Sequence, residues 1–286
     1  MDGAVNQTPF PAVDGRLARL AHGLWPPRCL VCGERGAGGR DLCRHCQRAL
    51  PWNHCACPRC ALPLAVPAAA CGRCLKRPPP LDAVRAAFVY GTPLDRLLPR
   101  LKFHDDLAAG RLLAALMLDD PGRPLTAPAS DDPQRAPMAS PPEQPPHPRA
   151  WPLSADPPRI AAPPGDACPS STVLIAVPLS RARLRQRGYD QARELARPLA
   201  RALSLPLLDD ALRRLRDTAP QSSLDGLARR RNLRGAFAAA FPTAPPARVL
   251  LIDDVMTTGA TLHAAATALR RAGVHRVEAW VCARVP

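Results

Sequence analysis

Aromatic residues are scarce in this chain, 4% of 286 residues with only two tyrosines, and Trp25 and Trp52 alone fall near its cysteines. Ring stacking is therefore excluded as the main mode of any nucleic-acid contact, which would have to run through the backbone. Lysine is nearly absent too: of 39 basic residues only Lys76 and Lys102 are lysines. No run of about 18 apolar residues occurs, so no membrane span is expected. The opening MDGAVNQTPF is neither basic nor followed by an apolar stretch, which predicts no secretory leader and a cytoplasmic location. Acidic residues are few enough to leave a formal charge of +15 and a pI near 10.3. That suggests polyanionic partners, but Arg, Ala and Pro are abundant together, as in a GC-rich coding genome, so basicity counts only where it clusters.

Cysteine, by contrast, is plentiful, with eleven residues. In a reducing compartment metal explains them better than disulfides. Cys29-x2-Cys32 is followed by Cys43-x2-Cys46, and Cys57-x2-Cys60 by Cys71-x2-Cys74, the second set repeating the first. Two CxxC turns complete a tetrahedral thiolate shell, which favours zinc and stabilises a unit too small for its own core. Two structural zincs are expected, held by these eight cysteines. The turns can pair in order or interleaved, and Cys55, His45 or His54 can substitute. No βαβ pattern surrounds the pairs, which argues against thioredoxin-like redox chemistry.

The stretch Arg248 to Leu262, RVLLIDDVMTTGATL, organises the rest. Val249 to Ile252 reads as a strand buried on both faces, ending at Asp253 and Asp254. Thr257 to Thr261 form a small hydroxyl-rich turn before a helix from Leu262 to Arg271, closed by Gly273. Unpaired N–H groups, threonine hydroxyls and the helix dipole together make a phosphate cup. The paired acids suit the vicinal hydroxyls of a sugar, or magnesium through water. A ribose 5-phosphate pocket results.

Elsewhere, Gly15 to Leu24 is a short amphipathic packing helix. Leu81 to Tyr90 is strand-like, and Leu94 to Phe103 is a helix with Leu94, Leu97, Leu98 and Leu101 on one face. Lys102, just off that face, is either a solvated lysine or a cation facing phosphate across a cleft; His104 reads as a surface residue. Residues 121 to 169 hold 16 of the 37 prolines and no hydrophobic period, so they are expected to be disordered or partly polyproline II, with Cys168 a free thiol. Thr172 to Val177 is a buried strand. The following loop, Leu179 to Gln191, carries four alternating arginines suited to a pyrophosphate. Gln191 to Leu203 is a helix that Pro198 should kink or divide. Arg181 to Arg234 contains fourteen arginines against six acids, a basic face or mobile loop for a polyanion. Val277 to Ala283 alternates as a strand closing the sheet, with Cys282 in the core.

IDDVMTTGAT resembles the 5-phosphoribosyl 1-pyrophosphate (PRPP) motif of the type I phosphoribosyltransferases. The order of four CxxC motifs, FVYGTPLDRLLPRLKF, VPLSRARLRQRGYDQ, RLRDTAPQSSLDGLARRRNLRGAF and then this motif resembles the ComF/GntX family. The resemblance implies an α/β fold: a type I phosphoribosyltransferase-like parallel sheet with helices on both faces, preceded by a small zinc-ribbon domain. The expected divisions are 1–24, a helix or arm; 25–80, a double zinc ribbon; 81–118, a hood and the start of the phosphoribosyltransferase domain; 119–171, a proline-rich insert; and 172–286, the core.

By the same resemblance Asp253 and Asp254 hold the ribose hydroxyls at the catalytic centre, Thr257, Thr258, Gly259 and Thr261 bind PRPP's 5-phosphate, and Val255, Met256 and Ala260 belong to the same PRPP-binding stretch. Ser180, Arg181 and its neighbours take the pyrophosphate, with Lys102 across the cleft. Gln221, Arg229 and Asn232 belong to a mobile loop, and magnesium enters with PRPP. The implied reaction transfers phosphoribosyl to an unidentified nitrogen acceptor. The implied setting is DNA uptake in natural competence, with single-stranded DNA and a competence helicase or other uptake proteins as partners. The alternatives are a non-catalytic, PRPP-responsive factor handling single-stranded DNA and a zinc-ribbon adaptor. LKFHDD and the long insert depart from the family pattern.

Overall fold

The computed structural model describes residues 27–103, 106–122, 172–216 and 235–286. The N-terminal helix, Trp25, His104, the bulk of the proline-rich segment with Cys168, and Gln221, Arg229 and Asn232 lie outside the described residues.

Two cysteine units come first, built on one plan. The bridge between Arg28 and Arg35 recurs between Ala56 and Pro63, and α1 (Arg44–Arg48) recurs as α2 (Gly72–Lys76). The plan needs left-handed backbone after each first turn, supplied by Gly33 (φ 80°) and, in the repeat, by Ala61 (φ 54°) at some steric cost. Cys29, Cys32, Cys43 and Cys46 form one group and Cys57, Cys60, Cys71 and Cys74 the other, with the sulfurs of each group within 4.8 Å of one another. Pairing is therefore in chain order, and Cys55, His45 and His54 belong to neither group. The 3.7 Å sulfur separations across Cys32–Cys43 and Cys60–Cys71 match the edge, roughly 3.8 Å, of a tetrahedron with Zn–S bonds of about 2.3 Å. Backbone N–H groups of Cys46 and Cys71 point at the sulfurs of Cys43 and Cys57 at 3.4 and 3.2 Å. Both donor sets fit structural zinc.

Among the described residues the sheet has four parallel strands, β1 (Ala83–Val89), β2 (Thr172–Ala176), β5 (Arg248–Met256) and β6 (Arg276–Arg284), in the order β1-β6-β5-β2. A separate antiparallel hairpin pairs β3 (Leu212–Arg214) with β4 (Phe237–Ala239). The apolar runs are buried on both faces because each face is covered. Leu250, Ile252 and Trp280 meet α3 (Leu94–Phe103), α4 (Leu107–Leu118), α6 (Gln191–Leu203) and the first cysteine unit. Val249, Leu251, Val277, Ala279 and Val281 meet α7 (Ala260–Arg271), the hairpin and the second cysteine unit. The two units thus straddle the β1 edge, one on each face. Their connection pairs with that edge through Asn53 N–H to the Ala87 carbonyl (3.0 Å) and Val89 N–H to the Pro51 carbonyl (2.8 Å). The β2 edge is covered likewise, by Pro206 and Leu208 bonding to Leu174. Both open edges are paired.

Several expectations change. Residues 181–187 are not a loop but a helix, α5 (Arg181–Arg187), capped by Ser180 and ended by Gly188 at φ 76°. Strand β5 runs past the acids to Met256. Rather than closing the sheet, β6 lies inside it between β1 and β5. Pro198 does not divide α6, whose buried face of Leu195, Ala196, Leu199 and Ala200 runs unbroken across it. Pro99 sits inside α3 as well. An internal proline costs about 3 kcal/mol, whereas burying Leu94, Leu97, Leu98 and Leu101, all at 1% exposure or less, contributes roughly 1.5–3 kcal/mol each. Packing wins. Asp119 and Asp120, expected to open the disordered segment, remain in the fold: Arg40 and Arg85 pair with them, and Asp120 is buried.

Because the cysteine units share core with the sheet, zinc loss should unfold more than the ribbons. On titration with a strong chelator, loss of far-UV circular dichroism is expected to track release of about two equivalents of zinc per chain. Zinc released with the spectrum unchanged would show ribbons that melt independently.

Candidate functional site

The site lies where β5 outruns β2. Pairing with β2 ends at Ala176–Ile252, while β5 continues against β6 through Asp253–Val281 to Met256–Arg284. The last four residues of β5 therefore have a strand on one side and a cleft on the other, at the carboxyl edge of a parallel sheet where such folds bind ligands.

The two carboxylates are held from below. Asp253 Oδ1 accepts the Asp254 N–H at 2.9 Å, and Asp254 Oδ1 accepts the Val255 N–H at 2.6 Å. Lys102, at the end of α3, reaches over so that its Nζ lies 3.0 Å from Asp254 Oδ2. Of the two readings of Lys102, the one facing the cleft describes its position. Desolvation, reinforced by the Asp254 charge, pushes the Asp253 carboxyl well above its usual range. Burial, with a further contribution from Asp254, raises Asp190 too, and burial first, then Asp254, raises the Cys282 thiol beneath. Acidic groups are thus crowded at one end of the cleft, and the crowding and burial favour the protonated form of Asp253.

The opposite wall is cationic. Alternating arginines on a helix split between two faces, so Arg181 and Arg185 are exposed while Arg183 and Arg187 turn inward. Arg183, Arg187 and Arg214 line a cleft of about 210 Å³ together with Lys102 and both acids. Arg187 is fixed by Gln191 Oε1 (2.8 Å) and lies 5.2 Å from the Phe103 ring centroid. Gln191 also lines the cleft, is 2% exposed, and has a buried Nε2 with no hydrogen-bond partner. A buried orphan amide donor beside arginines suits an anionic ligand. The backbone here is pinned: Asp190 caps α6 and accepts the Leu179 N–H at 2.8 Å, and the Tyr189 hydroxyl donates to the Leu101 carbonyl.

Between these walls the chain turns from β5 into α7. Thr257 and Thr261 line the cleft, and the first turn of α7 has N–H groups with no intrahelical acceptor. Gly259 suits its N-cap: φ is 77°, where a side chain is strained, and a Cβ would have to displace the Met256 methyl 2.5 Å away. The second cysteine unit braces this turn from behind. Buried Arg284 donates to the Cys60 carbonyl (3.0 Å) and the Met256 carbonyl (3.3 Å), and Arg73 donates to the Thr258 carbonyl (3.2 Å).

Of the expected ligand residues, Lys102, Asp253, Asp254, Val255, Thr257 and Thr261 meet at the cleft. Met256, Thr258, Gly259 and Ala260 shape the turn without lining it. Ser180 is a buried helix cap and Arg181 points outward. Sequence reasoning assigned no role to Gln191, placed Arg183 and Arg187 among four alternating arginines without separating them from Arg181 and Arg185, and held Arg214 only within a broad basic stretch. Ser180 and Gly188, as cap residues, were the signal for the helix that selects between those arginines.

The chain matches the family model of the double zinc ribbon domain over residues 20–75 and that of the phosphoribosyl transferase domain over residues 190–286. It is 31% identical to Competence protein F of Haemophilus influenzae over 260 residues, 90% of this chain and 96% of that one. It is likewise similar to DNA utilization protein YhgH of Salmonella typhimurium, 31% identical over 243 residues (85% and 90%), and of Escherichia coli K12, 30% over 260 residues (91% and 97%).

A carboxyl whose folded value is raised keeps its proton in the native state while the unfolded chain loses it. Its stability penalty therefore builds as pH rises from the ordinary carboxylate range to the raised value, and stays at full size above. Asp253→Asn, which keeps an acceptor for the Asp254 N–H, is expected to melt a few degrees higher than the parent at pH 8, the gap closing toward pH 4.5. Equal melting at both pH values would contradict the desolvation assigned to Asp253.

Proposed function

We propose, for a chain that belongs to the ComF family of double-zinc-ribbon, phosphoribosyltransferase-domain proteins, that the cleft binds magnesium-PRPP and transfers its phosphoribosyl group to a nitrogen acceptor. The observation that carries this reading is the juxtaposition of the Asp253–Asp254 pair, the Thr257–Thr261 turn and the Arg183, Arg187 and Arg214 wall around one cleft. An anion cup, a pair of acceptors for vicinal hydroxyls and a cationic wall are the three recognition elements PRPP requires.

In this reading Thr257, Thr261 and the first-turn N–H groups of α7 hold the 5-phosphate. Asp253 and Asp254 accept hydrogen bonds from the ribose hydroxyls and stabilise positive charge as the anomeric bond to pyrophosphate loosens. Lys102, Arg183, Arg187 and Arg214 take up the charge of the leaving pyrophosphate, with the Gln191 amide as a further donor. Among the described residues the only metal-competent clusters are the two cysteine groups. Magnesium would therefore be held mainly by PRPP's own oxygens with an acid of the cleft, and would neutralise pyrophosphate charge. Gln221, Arg229 and Asn232 are proposed to close over bound ligand.

A second reading, contact with single-stranded DNA, is favoured by the outward faces of α5. Arg181 and Arg185 are exposed, and the names of the relatives tie them to competence and DNA utilization. Contact would be to the phosphate backbone and strongly salt-dependent. Affinity for oligo-dT that does not fall between 50 and 200 mM salt would remove this reading.

Calorimetry of the zinc-loaded protein with magnesium-PRPP tests the first. Binding is expected in the parent, weakened at least about tenfold by Arg183→Ala/Arg187→Ala, since a charge-assisted hydrogen bond contributes roughly 1.5–3 kcal/mol, and lost in Asp253→Asn/Asp254→Asn. Turnover is then read as pyrophosphate release across a panel of amine acceptors. An intact protein with no heat of binding would end the PRPP reading.

A further inference from the structure

Among the described residues a second cavity is larger than the cleft just described. About 470 Å³ in volume, it lies on the other side of α7, between that helix, the β3–β4 hairpin and the end of the second cysteine unit. We propose that it is a second ligand site, taking a nucleoside phosphate.

Three features lead to this. The first is size: 470 Å³ falls within the range of about 300–1,000 Å³ usual for small-molecule sites. The space exists because the facing positions are small, with Ala260, Ala264 and Ala268 on successive turns of α7 opposite Ala238 and Ala239 of β4.

The second is charge. Arg73 and Arg77 border the cavity from the cysteine unit and Arg271 from α7, and among the described residues no carboxylate lines it, the anionic groups at its rim being Cys60 and Cys74 of the second metal group. Ten ion pairs are formed among the described residues, and none uses these three arginines. Arg73 also donates to the Thr258 carbonyl, so Arg77 and Arg271, from two elements, are the cations that match a phosphate, whose oxygens each accept paired N–H donors.

The third is the floor. It is apolar but interrupted by His263 and Thr267, and edged by Phe237. The Thr267 hydroxyl donates to the His263 carbonyl at 2.8 Å, leaving its oxygen available as an acceptor. An alkyl chain would desolvate such groups without replacing their hydrogen bonds; a flat heteroaromatic ring satisfies both the apolar wall and the polar interruptions. A phosphate joined to a nucleobase through a sugar has this combination. It could arrive as a free nucleotide or as the phosphorylated end of a single strand.

This site is independent of the PRPP reading, and the test keeps them apart. Binding of AMP and of 5′-phosphorylated (dT)5 to the zinc-loaded full chain is measured by calorimetry, with the parent, Arg77→Ala/Arg271→Ala, the cavity-filling Ala264→Leu, and Arg183→Ala/Arg187→Ala of the other cleft. Magnesium-PRPP is titrated into the same four proteins. The expected result is binding of at least one nucleotide probe that weakens tenfold or more in Arg77→Ala/Arg271→Ala and in Ala264→Leu, but stays within twofold in Arg183→Ala/Arg187→Ala. AMP binding assigns the site to free nucleotides; binding of the oligonucleotide alone, with the same variant pattern, assigns it to strand ends. The proposal is overturned if neither probe binds at millimolar concentration, or if the loss occurs in the Arg183→Ala/Arg187→Ala variant and not in the cavity variants. PRPP binding retained in Arg77→Ala/Arg271→Ala is expected in either case, so failure of one site leaves the other standing.

Discussion

Everything at the cleft depends on one inequality of length: β5 is nine residues and its neighbour β2 is five. Where β2 stops, β5 loses half of its strand pairing, and the freed side is occupied by carboxylates and then by the turn into α7. Had the two strands ended together, Asp253 and Asp254 would face a paired strand instead of a cleft. The other parts of the site come to this gap from elements packed on the sheet. Lys102 rides on α3, the inward arginines on α5, and the α5–α6 junction is fixed by Asp190 and Tyr189. The site is assembled by packing, although its central motif is local in sequence.

That division decides what could be read in advance. The buried strands, the acids and the Thr/Gly-rich turn were legible because each is a short contiguous signal whose chemistry and geometry agree. So was the existence of two metal sites. The pairing of the CxxC turns was not, because ten residues separate every consecutive pair from Cys32 through Cys71, and equal spacing cannot choose between sequential and interleaved partners. Only the fold of each unit, with its repeated bridge and short helix, does that. Helix α5 was missed for a different reason: RARLRQR has no apolar period, and its one leucine, Leu184, is exposed. The helix is specified by its ends, Ser180 and Gly188, and only its turn separates the inward Arg183 and Arg187 from the outward Arg181 and Arg185. The interior place of β6 was also beyond local reading, since the order of parallel strands is set by crossovers and long-range burial.

Arginine carries nearly all the positive charge, and the structure uses it in distinct ways. Arg85 and Arg248 are consumed by Asp120 and Glu278. Arg284, buried at 3% exposure, spends its donors on backbone carbonyls; burial lowers its pKa against the opposing pull of the Cys60, Cys71 and Cys74 thiolates. Arg183 and Arg187 face the cleft, and Arg73, Arg77 and Arg271 the larger cavity. A fixed, forked donor is suited to each of these tasks, which a flexible point charge such as lysine would perform less well. The lone lysine at the cleft stands where a movable charge is useful, bridging from α3 to Asp254.

The interior position of β6 has a consequence for the order in which the molecule can be built during synthesis. The cysteine units leave the ribosome first and can take up metal at once, but the surfaces they pack on include β6, the last strand in sequence. Neither face of the sheet is complete, and the Arg284 link from Cys60 to Met256 cannot form, until that strand has been released. The metal-bound units must therefore wait, part of their apolar surface uncovered, until β6 has followed the other strands out. For this chain early zinc capture is a holding step, and the commitment to the native sheet comes when β6 inserts between β1 and β5.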